Sequence, residues 1–590
     1  MAFKRNNNVI DSPGNSFATL NPLVGKTSHA NYVYGNLSLE HVSDGECAAL
    51  SSIKIPKTGK WYVELQMPSN GIFGIAKDYF TNSGDTSKVF LGLNEAGRRY
   101  ENGGYSALGS EKSIGGGSEV AGLLIDPEAE TENLKWFLSN TEIHSEDYNL
   151  KDDDFFVLML KYSGGNNVMN FGQDHTFGGY PNSLATSTGH APHGAAAGTP
   201  GLFYYQPPEG AKALCSANLS TTVENSQEHF KAVTYTGTGG TQSITGVGFQ
   251  PDLVWLKMRN AVGENYLYDS VRGAGEELYP SQSWAENYYN YGELTSFNPM
   301  PSRGFTVFQS SSGNEINYSG NEYVAWCWKA GGGGGKYNSD GVPFADFADT
   351  GLTAGDITPT AMSVNTKAGF SIVKYKGNST EDTNYTIPHG LSEQPDFIIF
   401  KNLDWATGNA GLAWPVQMPK VPAYLEGMDG SRGSSSWDYT HIYGSTLADS
   451  DKVTVRAPTA SSEGNRFRVW GDYNFIMYCW HSVAGYSKFG SYTGNGSADG
   501  PFVYTGFRPA WVMVKGIEAN NAHAWKVWNN ASDPHNLSVK PLWPNLSNPE
   551  PSGLTMGIDF LSNGFKIRSN DMVENAAYKY IFMAFAEHSM

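Results

Sequence analysis

Cysteine is nearly missing from this chain: there are four in 590 residues, Cys47, Cys215, Cys327 and Cys479, and none has a Cys-x-x-Cys spacing. In a reducing compartment that scatter reads as free buried thiols, so neither disulfides nor a zinc site is expected. Charge is scarce too. Asp, Glu, Lys and Arg make up 17% of the residues, against ~25% in an average soluble protein. The 40 basic residues are outnumbered by 58 acidic ones, for a net charge of −18, and they form no cluster that could track a phosphate backbone. Nucleic acid is therefore not expected as a partner. No apolar run reaches the ~18 residues of a membrane span. After Lys4 and Arg5 comes the polar run Asn6 to Asn8, where a signal peptide would be apolar. The expectation is no membrane insertion, with the protein made and kept in a cytoplasm until lysis. No heptad of apolar positions persists, so helices and coiled-coil stalks are not expected either.

What is abundant is glycine, with 68 residues, and aromatic side chains, at 13%. That profile suits short strands joined by tight turns. At ~150 residues per domain the length predicts about four domains. An internal repeat predicts the same number. Val247-Gly248-Phe249-Gln250-Pro251-Asp252 and the strand after it recur as Gly390-Leu391-Ser392-Glu393-Gln394-Pro395-Asp396, and again as Thr505-Gly506-Phe507-Arg508-Pro509-Ala510. Gly and Pro set the turn, and the β-branched and aromatic run that follows is a strand ending in Lys257, Lys401 or Lys515. Each copy is preceded by Tyr-x-Gly, at Tyr235, Tyr375 and Tyr492, and each closes on an aromatic strand. From turn proline to last aromatic, Pro251 to Trp328, Pro395 to Trp480 and Pro509 to Phe585, the spacings are 77, 85 and 76 residues.

A third strand is expected at Tyr266 to Tyr268, at Leu412 to Trp414 and at Trp525 to Trp528. A later one is expected from Gly304, at Phe467 to Val469 and from Gly564. Strands apolar on both faces predict burial on both sides, as in sandwiches packed on neighbours. Gly331 to Gly335 cannot hold a path unaided, so 331–368 is expected to be a linker or a loop laid over another surface. Before residue 220 the repeat is absent. Strands are predicted there at 59–65, 71–76, 121–126, 134–138, 155–160 and 168–172, in the manner of a sandwich.

Gly59-Lys60-Trp61-Tyr62-Val63-Glu64, then Phe73-Gly74-Ile75-Ala76, then Leu134-Lys135-Trp136-Phe137-Leu138-Ser139-Asn140, then Asn170-Phe171-Gly172-Gln173 resembles a SPRY-like, concanavalin-type jelly-roll domain. The likeness covers about residues 14–219, with Ser139-Asn140 standing where a hairpin glycine is usual. Pro207 to Leu219, Asp269-Ser270-Val271-Arg272-Gly273 and Val364 to Val373 resemble segments of structural proteins from tailed phages of marine bacteria, cyanophages especially. In such proteins a SPRY-like module is followed by the repeated unit. The resemblance implies an all-β chain: residues 1–219 a SPRY-like jelly-roll sandwich, 220–330 repeat one, 331–368 a Gly-rich linker, 369–483 repeat two and 484–590 repeat three. It also implies a virion address, with assembly in the host cytoplasm.

Candidate chemistry is thin. Gly25-Lys26-Thr27 and Gly331 to Lys336 lack the residues that complete a phosphate-binding loop. Ser270 has no partnered His that the sequence indicates, and Arg272 is expected to pair with a carboxylate for structure. His190 and His193, with His175 nearby, lie in a Gly/Ala-rich loop, and Asp152-Asp153-Asp154 lacks the alternate spacing of a calcium loop. A solvated loop is the plainer reading of both. No catalytic residue, metal or cofactor is expected, although a carboxylate pair of a glycan hydrolase would come from separate strands and leave no sequence mark.

The tryptophans are more telling. Most fall on strands as core. Trp284, Tyr288, Tyr289, Tyr291, Trp405, Trp437, Tyr439 and Trp543 fall instead in loops rich in Ser, Asn, Asp and Gly. Flat rings beside amides and carboxylates suit stacking on sugars or a protein interface. The expected function is a non-enzymatic virion protein, a tail-fibre or similar appendage subunit whose loops meet a host-surface glycan or a neighbouring subunit. Two alternatives are a capsid-surface decoration protein and a glycan-degrading spike. Other virion proteins are the expected partners. Because the sequence starts in the SPRY-like domain without an anchor or coiled coil, a fibre role is expected to require self-association through the sandwiches, as a homotrimer.

Overall fold

The computed structural model describes most of residues 17–588; the longer stretches outside the description are 1–16, 22–29, 78–89, 107–118, 178–191, 405–413, 428–447 and 457–468, with shorter ones between them. The chain divides into two compact units, residues 1–220 and 221–589. Among the described residues there are strands and two 3-10 turns but no α-helix, so the chain is all-β as expected.

The first unit is a two-sheet sandwich. One sheet centres on Lys60–Gln66, Val120–Ile125 and Leu134–Leu138, with Ala211–Ala213 added in parallel; the other centres on Phe155–Lys161 between Cys47–Lys54 and Gly71–Lys77. Strand alternation divides the residues between faces. Trp61, Val63 and Leu65 enter the core between the sheets with Phe73, Ile75, Val157 and Met159. Tyr62, one residue out of phase, meets Phe203 and Ala213 on the opposite face. The Trp136 indole N–H bridges the sheets by donating to the Phe73 carbonyl at 3.0 Å. Ser139 and Asn140 both take positive φ, +47° and +65°, and close the hairpin between Leu138 and Thr141. A two-residue turn of this handedness follows the twist of its strands, here without glycine.

The second unit holds three four-strand sets paired in the same order. They are Phe230–Thr236, Glu322–Trp328, Leu253–Met258, Asn265–Asp269; then Phe370–Lys376, Asn474–Trp480, Phe397–Asn402, Pro415–Gln417; and then Ser487–Thr493, Lys579–Ala586, Pro509–Gly516, Lys526–Asn529. Their registers correspond. Lys257 lies opposite Val324, Lys401 opposite Ile476 and Lys515 opposite Ile581. Cys327, Cys479 and Ala584 lie opposite Val254, Ile398 and Val512. Both cysteines are free and buried, and burial holds both thiols well above their ordinary pKa.

Each set buries both faces, for different reasons. Val254, Leu256, Ala325 and Cys327 face a small outer sheet of Gln242–Ile244, Phe305–Phe308 and Glu293–Ser296. Trp255, Trp326 and Trp328 face the opposite way, into a core shared with Phe397, Ile399, Tyr478 and Trp480 of the second set and Trp511, Met583 and Phe585 of the third. Every pair of sets touches: Trp328 with Trp480 at 6.4 Å between ring centroids, Phe397 with Trp525 at 6.2 Å, and Phe230 with Phe585 at 4.8 Å. The three sheets therefore close on one another around a common aromatic core. A void of about 10 Å³ remains among Trp255, Trp328, Ile399, Trp480, Trp511 and Met583.

Two expectations are corrected. The 331–368 stretch carries Tyr337–Ser339, Val342–Phe344 and Ala361–Asn365, which, with Leu425–Gly427 at the opposite edge, extend the second set into an eight-stranded sheet. Two of its glycines are held by side chains distant in sequence: the Gly331 N–H donates to Ser363 Oγ at 2.9 Å and the Gly332 N–H to Asp252 Oδ2 at 3.0 Å. A Cβ on Gly331 would stand 2.5 Å from Asn338 Oδ1, so close approach requires glycine there. The third strand of the second set begins after Trp414, at Pro415. The outer partner of Asn384–Pro388 is Lys452–Arg456. Of the expected Phe467 to Val469 strand, only the buried Val469 lies within the described residues.

Candidate functional site

The loops that leave the third strands are where the three sets differ, and two of them turn out to be seams. In the first set, Asp269 ends its strand and accepts the Val271 and Arg272 N–H groups on Oδ1, at 3.1 and 2.9 Å. Arg272 turns back so that Nε meets Asp269 Oδ2 at 2.5 Å and Nη1 meets Glu286 Oε1 at 3.0 Å, with the guanidinium fully buried. Tyr478 of the second set donates its hydroxyl to the same Asp269 Oδ2 at 2.7 Å. Burial alone would lower the Arg272 pKa, but Asp269, Tyr478 and Glu286 more than offset it and hold it above its ordinary value. This is a structural ion cluster, as expected for Arg272. Ser270 is likewise occupied, donating to Asp252 Oδ1 at 2.6 Å. Burial pushes the Asp252 carboxyl up to about 6, against the donors Ser270, Gly332 and Ala330.

Lys257, Lys401 and Lys515, which mark the strand ends, are all buried, and the first two reach across the seams. Lys257 Nζ donates to the Ser547 carbonyl at 3.2 Å, and Lys401 Nζ to the Ser283 carbonyl at 3.4 Å. Beside them, Asn265 Nδ2 donates to the Trp543 and Leu546 carbonyls, and the Trp414 indole N–H to those of Tyr279 and Gln282. The Glu550 N–H donates to Arg259 O, and the Glu286 N–H to Leu403 O. Residues 279, 282, 283 and 286 of the first loop thus play the parts of 543, 546, 547 and 550 of the third. Trp543 corresponds to Tyr279, not to Trp284. It is half-buried, and its backbone carbonyl is held in the seam by Asn265.

Lys401 is the less satisfied of the two lysines. Besides the 3.4 Å bond, its Nζ has the Trp414 ring at 5.3 Å, and burial pushes its pKa down to about 7. The folded state therefore favours the neutral amine. A penalty sets in as the pH falls below the unfolded value near 10.5 and is complete below about 7. Lys401→Met is expected to raise the melting temperature at pH 7, by the equivalent of about 1 to 3 kcal/mol, and to flatten its rise between pH 7 and 10. Thermal unfolding across that range checks it: a melting temperature lowered at both ends would mean that the ammonium stabilises the seam.

The other expected site residues part company. Trp284 is partly buried against Tyr266, Tyr279 and their neighbours. Tyr288 stacks on it and is 49% exposed. Tyr289, Tyr291, Trp405, Trp437 and Tyr439 lie outside the described residues, as do His175, His190, Asp152, Asp153 and Asp154. His193 Nδ1 lies 3.2 Å from Gln206 Oε1. No group of three or more candidate metal ligands occurs among the described residues. The seam lysines were visible as a recurring position, but nothing in the sequence gave their burial or their partners.

These features define a β-sandwich protein whose sheets are covered by one another and whose loops carry the variable groups. Residues 225–589, more than half of the chain, match the family described as "Domain of unknown function (DUF7483)", and the chain belongs to that family. No curated protein matches it. Similar solved structures include the SPRY domain of human HERC1, 16% identical with a TM-score of 0.22 over 25% of this chain and 96% of that one. They also include the TRIM65 PSpry domain, 10% identical with a TM-score of 0.21 over 26% and 90%. Stonustoxin is 12% identical, with a TM-score of 0.20 over 26% of each chain.

Proposed function

We infer that the protein is a non-enzymatic virion component of a tailed phage: a tail-fibre or similar appendage subunit that presents loops to a host surface or a neighbouring subunit. The observation that carries this reading is the first loop, where Tyr288 stands half in water while the residues leading to it are tied to buried scaffold. The Asp269–Arg272 cluster supports binding over catalysis, because its polar groups are engaged in bonds that hold two sheet sets together. The resemblance of the Asp269 to Gly273 and Val364 to Val373 segments to phage structural proteins supports the virion address. Because three sheets of one chain already cover one another's inner faces, a trimer of such chains would associate through other surfaces.

Fab fragments raised against residues 221–589 test the reading on purified particles of the encoding phage. Label on the tail or its fibres, seen by electron microscopy, is the expected result. Label spread over the shell would establish the capsid-decoration alternative instead. Particles that lack the chain by mass spectrometry would overturn the virion assignment.

A further inference from the structure

The strand Ala361–Asn365 is held at two places by imidazoles that act as acceptors. At its end, the buried Asn365 has an amide that cannot turn. Its Oδ1 accepts the Ala368 N–H at 2.9 Å, while Nδ2 donates to the Lys329 carbonyl at 3.1 Å and to Nδ1 of the partly buried His229 at 2.9 Å. That nitrogen of His229 therefore carries a lone pair and no proton. Against the face that holds Met362 and Val364 lies the turn His389-Gly390-Leu391, where a Cβ on Gly390 would stand 2.8 Å from Val364 and 3.0 Å from Met362. The buried His389 donates from Nε2 to the Asp449 carbonyl at 3.2 Å and accepts the Leu391 N–H on Nδ1 at 3.1 Å. Its Nδ1 is thus committed to a lone pair as well. A second proton on either ring would point at an N–H group that now donates to it.

We propose that His229 and His389 form an acid-released clasp on the 331–368 stretch: protonation of the two rings loosens Ala361–Asn365 and uncovers the edge of Phe370–Lys376, with which it pairs, while the central strands stay closed. This goes beyond the display reading and does not rest on it. The surroundings of both rings favour the neutral form. Burial is the first cause, and it pushes each pKa from 6.5 down to about 4. Beside His229, Lys329 and Lys367 push the same way, against Glu228 and Asp340. Beside His389, His481 does so, against Asp449 and Asp451 and the bond to the Asp449 carbonyl. Because the folded values lie below the unfolded 6.5, the stability these rings lend is whole above that pH and is lost as the pH falls toward 4. His229 spends it on Asn365 itself, and His389 on the turn that packs against Met362 and Val364.

The test is native-state hydrogen exchange on the whole chain, compared as protection factors at about pH 7.5 and about pH 5, on either side of an ordinary imidazole. The protection of Ala361–Asn365 is expected to fall about 10-fold or more, and by much more than that of Leu253–Met258. In the His229→Gln, His389→Gln double variant, whose amide oxygens still accept but do not titrate, the fall is expected to vanish. An equal loss in both strands, no loss in either, or the same fall in the double variant overturns the proposal. Should that variant fail to fold, carbon-13 histidine NMR of the parent decides: both rings are expected to titrate well below 6.5, and an ordinary value at either overturns the clasp.

Discussion

Replacing Trp328 by Ala is expected to destabilise residues 221–589 by about 3 to 5 kcal/mol, the cost of emptying a large aromatic site in a core. The ring touches Phe230 of its own sheet, Trp480 of the second set and Trp511 and Phe585 of the third. It also borders the existing void, so the neighbours have some room to relax but no side chain to fill the space. Because all three sets lean on this ring, the loss should fall on them together. Denaturant unfolding followed by tryptophan fluorescence and by far-ultraviolet circular dichroism should move to lower midpoint in both signals at once. A variant in which two sets keep the parent's midpoint while the first melts early would show that the sets are independent.

Arg272→Met is expected to cost a similar amount, about 3 to 5 kcal/mol, for a different reason: it strands carboxylates that were buried around a cation. Asp269 would keep the Tyr478 hydroxyl and two backbone N–H groups but lose the guanidinium, and Glu286 would lose its partner at the seam with Leu403. The cluster is a unit, so Arg272→Met combined with Asp269→Asn should recover part of the loss, and a double-mutant cycle measures that coupling. Arg272→Lys should not substitute, since an ammonium cannot serve Asp269, Glu286 and the Leu267 carbonyl with one planar fork. Additive penalties in the cycle would mean that Arg272 and Asp269 do not act on each other.

Much of this architecture was legible because strand chemistry is local. The closing aromatics and the lysine positions fall on corresponding strand positions, and alternation alone tells that Trp255 and Val254 face opposite ways. What alternation does not tell is the partner on each face. Trp326 and Trp328 read as core, but that their core belongs equally to Trp480 and Trp511 depends on contacts across more than a hundred residues. The glycine run was read as a linker because its supports, Asp252 and Ser363, are 80 and 32 residues distant from the glycines they hold. Pro415 hid a strand start because proline usually argues against one; here it opens the strand, a place where the missing N–H does little harm. In the loops, Trp284 and Tyr288 had the same sequence surroundings, and only the fold separates the supporting ring from the exposed one.

The seams and the buried lysines depend on the three sheet sets closing into one body. Native-state hydrogen exchange tests that most directly, through the amides of the central strands Leu253–Met258, Phe397–Asn402 and Pro509–Gly516. The account predicts that the slowest amides of all three strands exchange with one shared opening free energy, and that Trp328→Ala lowers all three equally. Three distinct opening energies, with one strand exchanging fully while the other two stay protected, would contradict it.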